Sequence, residues 1–193
     1  MKANLNKKGT AFVPKFIQDY KVLKKVVQEL KEQGKRIVLT QGVYDLIHEG
    51  HALYLAKARS YGDVLIVGVD SDLLTKKRKG PSRPIVPEKE RLNMLLHLRH
   101  VDIVTLREIK HGLGGLIQLI NPDVLIVSSS TKDFPKKDVA MYKKHAKEII
   151  MLPPQATTSS TARIRTLTIE GVENLAREIN KLTQDFLEKI KNS

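Results

Sequence analysis

Cysteine is absent from this 193-residue chain, which excludes disulfides, thiolate nucleophiles and zinc–thiolate sites. Tryptophan is absent too, and aromatic residues make up only 5% of the sequence. Stacking platforms for single strands are therefore scarce, and a dedicated nucleic-acid binder is not expected. No apolar run exceeds strand length; Val64 to Val69 is among the longest, far short of the ~20 residues that span a bilayer. Met1-Lys2-Ala3-Asn4-Leu5 leads into polar sequence without the apolar core of a secretory signal. These absences predict a cytoplasmic protein with no membrane partner. Acidic residues are also in short supply, 21 against 34 Lys and Arg, leaving a formal charge of +13. That field attracts nucleotides and phosphorylated substrates, although much of it is scattered Lys on helix faces, where solvated decoration suffices.

A hydrophobic content of 41% and a charged content of 28% describe an ordinary globular chain. At this length one core burying roughly 70% of the unfolded surface is expected, hence a single domain over 1–193. Residues 1–13 lack periodicity and read as a mobile tail or loosely docked arm. Tyr20, Leu23, Val26, Val27 and Leu30 recur at helical spacing, predicting an N-terminal helix over 15–33 that Gly34 ends. Strands are expected at 37–40, 64–69, 101–106, 123–127 and 148–152, and helices at 49–60, 88–99, shortly after Gly115, and at 137–146. Near-continuous Val/Ile/Leu strands alternating with helices predict an α/β protein whose parallel sheet is covered on both faces. Gly112 to Gly115 has the wrong spacing for a dinucleotide fingerprint.

The stretch 37–55, IVLTQGVYDLIHEGHALYL, organises the rest. A buried strand runs into a short loop, and His48-Glu49-Gly50-His51 opens a helix whose first N–H groups and dipole favour an anion. His48 and His51, three apart, share one side of that helix, and Gly50 lets a ligand approach the backbone. A zinc protease motif requires His-Glu-x-x-His, which this is not. Two histidines that merely cap a helix are the plainer alternative. In open parallel sheets ligands sit beyond the strand carboxyl ends. The loops Thr40 to His51, Asp70 to Lys79, Ser128 to Lys132 and Pro153 to Thr161 all fall on that rim.

Thr40-Gln41-Gly42-Val43-Tyr44-Asp45-Leu46-Ile47-His48-Glu49-Gly50-His51 resembles the signature of the HxGH nucleotidyltransferases. The likeness lies with the branch holding glycerol-3-phosphate cytidylyltransferases and heptose-phosphate adenylyltransferases, and covers a catalytic core of about 36–168. It implies a Rossmann-like, doubly wound five-stranded parallel sheet, here with extra N- and C-terminal helices. It also implies transfer of a nucleoside monophosphate, AMP from ATP or CMP from CTP, to a phosphorylated small acceptor with loss of pyrophosphate. Mg²⁺ would accompany the triphosphate, with no dedicated protein metal site.

Carried over residue by residue, the resemblance makes His48, His51 and Lys79 catalytic. Thr40, Gly42, Tyr44, Gly50, Lys76, Arg91, Ser129, Ser130, Ser159, Ser160 and Thr161 would bind nucleotide or phosphate, and Asp45, Asp70 and Arg83 the substrate. Plainer roles stand beside several of these. Lys76 and Lys79 lie in a basic loop, 75–87, that solvation alone would explain; Arg91 suits a structural ion pair, Asp45 a loop brace, and Ser159 an N-cap. Pro154 stands where cytidylyl-transferring relatives carry Arg, which leans toward adenylyl transfer; Val127 to Thr131 departs from the heptose-type Lys-Gly-Gly-Asp-Tyr, leaving the acceptor unnamed. A binding module that kept the fold and lost turnover is the rival class.

Val172, Leu175, Ile179, Leu182, Phe186 and Ile190 form an apolar stripe on a C-terminal helix expected over 172–190. The stripe must be covered, by the N-terminal helix of the same chain or by a second copy in a homodimer; it is short for a coiled coil.

Overall fold

Five strands rich in Val, Ile and Leu form one fully parallel sheet: β1 Ile37–Gly42, β2 Val64–Asp70, β3 Ile103–Arg107, β4 Val124–Ser128 and β5 Glu148–Leu152, in the order β3-β2-β1-β4-β5. The computed structural model describes residues 15–112, 114–129, 142–155 and 160–191, the last span by backbone alone at 160–163 and 184–191. The expected tail 1–13 and most of the expected helix 137–146 lie outside these residues. Two compact units are distinguished, meeting in sequence between Thr157 and Thr158.

In the first unit, successive strand residues alternate between two cores, as a pleat of period two requires. Ile37, Leu39, Ile66, Ile103 and Leu125 pack with Leu23 and Val27 of α1 (Tyr20–Glu32) and with Leu116 and Ile117 of α5 (Gly115–Ile120). Val38, Leu65, Val67, Val104 and Ile126 pack on the other face with Leu55 and Ala58 of α2 (Glu49–Arg59) and Leu95 of α4 (Glu88–Leu96). Apolar neighbours on both faces make the strands read as unbroken apolar runs. The sheet is doubly wound and Rossmann-like, and strand order reverses between β1 and β4, so the loops after these two flank the switch point.

The larger departures from the sequence expectation lie in three places, beside end shifts of one to three residues in β1 to β4, α2 and α4. Helix α1 begins at Tyr20 rather than near 15, because the Asp19 carboxylate caps it, accepting from Lys21 N at 2.7 Å. The residues before it are extended instead: Ile17 N donates to Val104 O at 3.0 Å, and Val104 N to Lys15 O at 2.6 Å, along the outer side of β3. The supposed basic loop is helical over α3 (Asp72–Lys79), where Ser71 Oγ accepts from Leu74 N at 3.1 Å and Leu74 and Thr75 are buried. At the C-terminus, the helix carrying Arg163 and Arg165 and the one expected over 172–190 are a single 32-residue helix, α6 (Ser160–Lys191), which makes up most of the second unit. Gly171 does not interrupt it.

Among the described residues no helix is long and apolar enough to cross a membrane.

The turn from α2 into β2 is packed too tightly for a side chain at Gly62. A Cβ there would stand 2.6 Å from Val38 Cγ2 and 2.7 Å from the Arg36 carbonyl oxygen, which is backbone and cannot swing away. Gly62→Ala is expected to destabilise the protein by about 1–3 kcal/mol, measured by urea denaturation; an unchanged midpoint would show that the turn relaxes freely.

Candidate active site

After β1 the chain turns sharply, with Tyr44 and Leu46 both left-handed at φ 54° and 46°. Such backbone is disfavoured for bulky residues and persists only when neighbours hold it. The holders are visible. Asp45, 3% exposed, accepts from Ile85 N at 3.0 Å and Val86 N at 2.9 Å, and pairs with Arg83 at 3.3 Å. Arg91, 1% exposed, donates from Nη1 to the carbonyls of Val43 at 2.5 Å and Asp70 at 2.9 Å. Its Nε donates to Val86 O at 2.9 Å, and its Nη2 to the Asp72 carboxylate at 2.7 Å. One guanidinium thus joins the histidine loop, the end of β2, the 83–87 loop and the first turn of α3.

The loop delivers His48 to the N-cap of α2, with extended backbone at φ −139° and ψ 175°. His48 Nδ1 accepts from Gly50 N at 3.1 Å, and His51 Nδ1 accepts from His48 N at 3.4 Å, a reciprocal capping box built from imidazoles. The rings lie 4.2 Å apart between centroids, and Tyr44 stands against His51 at 5.7 Å. An Nδ1 that accepts carries no proton, so each neutral ring bears its hydrogen on Nε2. Capping and chemistry therefore use different nitrogens. The arrangement corrects one expectation in part: of the first amides of α2, those of Gly50, His51 and Ala52 are already engaged. Gly50 N is taken by His48 Nδ1, while His51 N and Ala52 N donate to the His48 carbonyl at 2.9 and 3.3 Å. Nε2, not Nδ1, is the nitrogen of each ring that can face a phosphate, backed by the helix dipole.

The other expected residues divide into two groups. Thr40, Tyr44, Asp70 and Arg91, expected to touch ligand, are 0%, 5%, 0% and 1% exposed and support the site from beneath. The Thr40 hydroxyl shares a 2.8 Å hydrogen bond with Tyr54, and a Cβ on Gly42 would press on the Tyr44 ring at 3.3 Å. Asp70 is enclosed by Arg78 at 2.5 Å and Arg107 at 2.6 Å, so its carboxylate is compensated inside the protein rather than offered to substrate. Asp45 and Arg83 likewise meet each other. Lys76, Lys79 and Ser129 are exposed. Lys79 is close enough that its charge acts on His51. Ser160 and Thr161 begin α6, in the second unit, with side chains outside the described atoms; Ser130 and Ser159 lie outside the described residues.

Sequence reasoning missed Arg107, Asp72, Glu88 and Tyr54. Arg107 faces Asp70 directly across the β2–β3 ladder, and its stem passes over Gly68, whose Cβ would lie 3.0 Å from Arg107 Cδ. A lone Gly within a Val/Ile strand was the available signal. Glu88 accepts from Asp72 N at 2.8 Å, holding the start of α3. A cavity of about 380 Å³ beside these residues is lined by Asp72, Glu88 and Glu108 with Lys110 as the one base, an acid excess that disfavours phosphate.

Two tests bear on this geometry. Arg91→Met should lower the unfolding free energy by about 3 kcal/mol, the low end for a broken buried pair because Asp72 is 32% exposed, read from the urea midpoint. Burial, then the charges of His48 and Lys79, bring the His51 pKa down from 6.5 to about 4. His51 is therefore neutral at pH 7. The unfolded chain takes up its proton first as pH falls, so this group lowers stability progressively from pH 6.5 to about 4 and has no effect above that window. The unfolding free energy of the wild type relative to His51→Ala should fall across the same window; parallel pH profiles would contradict it.

The cytidylyltransferase-like family profile matches residues 39–170. The bifunctional protein HldE of a Nitratiruptor species is 38% identical over 152 residues, 78% of this chain and 32% of that protein. HldE of Desulfatibacillum aliphaticivorans is 34% identical over 165 residues, 86% of this chain and 33% of that one. The chain spans about a third of the length of these curated relatives. Among solved structures, the lipopolysaccharide core biosynthesis protein from Thermoplasma volcanium aligns with a TM-score of 0.55 and 26% identity, over 62% of this chain and 97% of that one. Pantothenate synthetase from Thermus thermophilus aligns with a TM-score of 0.53 over 72% of this chain and 62% of that one, and at 13% identity shares the fold alone. By sequence and by fold, this chain belongs to the cytidylyltransferase-like family.

Proposed function

We propose that the chain transfers AMP from ATP to a phosphorylated sugar and releases pyrophosphate, working in the cytoplasm. The observation that carries this reading is the imidazole capping box, which fixes the two rings side by side with both Nδ1 atoms engaged as acceptors, so that Nε2 is the nitrogen each ring can turn toward a phosphate. In such a transfer an oxygen of the acceptor phosphate forms a bond to the α-phosphorus of ATP as the bond to pyrophosphate breaks. No protein nucleophile is needed; the protein aligns the two phosphates and stabilises the charge gathering on their oxygens. Burial keeps the His51 ring neutral at pH 7, and a neutral ring donates a hydrogen bond without surrendering a proton to the acceptor phosphate. Lys79, and Lys76 three residues before it on the same helix, add positive charge for the triphosphate.

Among the described residues no group of three or more His, Asp or Glu side chains is placed to hold a cation. Asp45 and Asp70 are already engaged by arginines. Mg²⁺ would accompany the triphosphate and neutralise phosphate charge there. The sugar acceptor is supported by the Thermoplasma volcanium relative, whose stated role is in lipopolysaccharide core biosynthesis. ATP over CTP is supported by Pro154, which occupies the place of the Arg in cytidylyl-transferring relatives.

Pyrophosphate release should be seen with ATP and a phosphorylated sugar from a panel of sugars, alcohols and mononucleotides. Turnover with CTP and a phosphorylated alcohol alone would replace this reading, and binding without turnover on any acceptor would favour a non-catalytic module. His48→Ala should lower turnover at least ~10²-fold, on the scale of losing one preorganised donor. Its stability should drop by about 1 kcal/mol, because the N-cap is lost. His48→Asn should restore the cap and the stability but not the turnover, since its short side chain cannot present a donor at the Nε2 position. Rescue of turnover by Asn would reduce His48 to a cap.

A further inference from the structure

Helix α3 ends on four consecutive cations, Lys76-Lys77-Arg78-Lys79. A helix of eight residues is marginal on its own, and of this one only Leu74 and Thr75 are buried. The Ser71 cap, the Arg91–Asp72 pair and the Glu88 contact all grip its first turn. The last turn is gripped through Arg78. Lys76, Lys77 and Lys79 are exposed, whereas Arg78 turns inward and donates from Nη1 to Asp70 at 2.5 Å. The other Asp70 oxygen accepts from Arg107 Nη1 at 2.6 Å, so the carboxylate is fixed in direction from two sides. A buried charge cluster is a poor source of stability, since apolar side chains of like volume often do as well; what this one supplies is a defined geometry. Lys79 follows Arg78 directly, and its charge reaches His51.

We propose that Asp70 is a positioning residue for the transfer: held by Arg107, it draws in Arg78, sets the last turn of α3, and so places Lys79 beside the imidazoles to meet the triphosphate. This rests on the proposed nucleotidyl transfer. Asp70 is 0% exposed and acts through Lys79, not on substrate. Two other roles for the cluster expect different behaviour. Were Asp70 only a strut at the sheet's end, its loss would cost stability and leave the work of Lys79 intact. Were Arg78 itself a phosphate ligand, freeing it from Asp70 would tighten ATP binding.

Calorimetric titration of the full chain with ATP, in the absence of acceptor, separates these cases. Lys79→Ala and Asp70→Asn should each weaken ATP about 10-fold, the order expected for one hydrogen bond to a charged group. Lys77→Ala removes the same charge from an exposed neighbour and should change affinity less than about twofold; a loss as large as that of Lys79→Ala would reduce the helix to bulk charge and overturn the proposal. Asp70→Asn combined with Lys79→Ala should also stand about 10-fold down, because no lysine is left to misplace. A combined loss of about 100-fold, the product of independent effects, would overturn the proposal, as would unchanged or tighter binding in Asp70→Asn. Should that variant fail to fold, Arg78→Gln, which leaves Asp70 paired with Arg107, should give the same loss, and wild-type affinity there would overturn the proposal equally. A second readout needs no nucleotide. The His51 pKa, followed by NMR, should rise in Asp70→Asn as it does in Lys79→Ala, because the lysine no longer stands beside the ring. A raised pKa in a protein that turns over no sugar phosphate would keep the positioning and remove the proposed reaction; an unmoved pKa in an active enzyme would do the reverse.

Discussion

The site rests on one buried guanidinium. Arg91 reaches three main-chain carbonyls and one carboxylate from four separate segments, and none of those segments is held in its observed position by apolar packing alone. A rigid planar fork suits this task in a way an ammonium does not, because its donors are fixed in direction and its charge persists at any pH the protein meets. The left-handed turn at Tyr44 and Leu46 is possible because Val43 is fixed by Arg91 on one side and Asp45 by the 85–86 amides on the other. From that turn follows the direction in which the chain enters α2, and from that direction the placement of both imidazoles.

The histidines show how one residue type answers two demands. Helix starts need an acceptor at the N-cap, which Ser, Thr, Asp or Asn usually supplies. Here an imidazole nitrogen supplies it, and the same hydrogen bond fixes the tautomer, so the opposite nitrogen must carry the hydrogen. Structural and chemical roles are therefore coupled rather than competing. Burial, with the charges of His48 and Lys79, keeps His51 uncharged at neutral pH.

Much of this was legible in the sequence, for identifiable reasons. Four strands are buried along most of their length and leave unbroken apolar runs, and β5, though largely uncovered, keeps Ile149, Ile150 and Leu152, so all five were readable, the last over its full extent at 148–152. The histidine pair was readable because a strand, a short loop and a helical apolar pattern framed it. What was not readable depends on partners distant in sequence. Helix α3 was hidden by its Lys- and Arg-rich surface, since its two buried residues, Leu74 and Thr75, give too short a pattern. Asp70 and Arg91 looked like ligand contacts because a charged residue beside a binding loop is ordinarily solvent-facing. Only the positions of Arg78, Arg107 and Asp72 reveal that these charges are balanced internally. The two helices expected after Ser160 are one, because good helix formers on either side carry it through Gly171.

The extended segment at Lys15 to Ile17 bears on how the protein avoids sticking to its own copies through the sheet. A parallel sheet ends in two strands whose outward hydrogen-bonding groups invite any passing strand to join. At β3 the chain occupies part of that row with its own backbone, through Ile17 and Lys15. At β5 the defence is different: the exposed Glu148 opens the strand and Pro153-Pro154 follows its last residue, so an added strand would meet a charge at one end and two missing amide donors at the other. The two rims of the sheet are thus closed to polymerisation by unlike means, one by self-pairing and one by residues that refuse a partner.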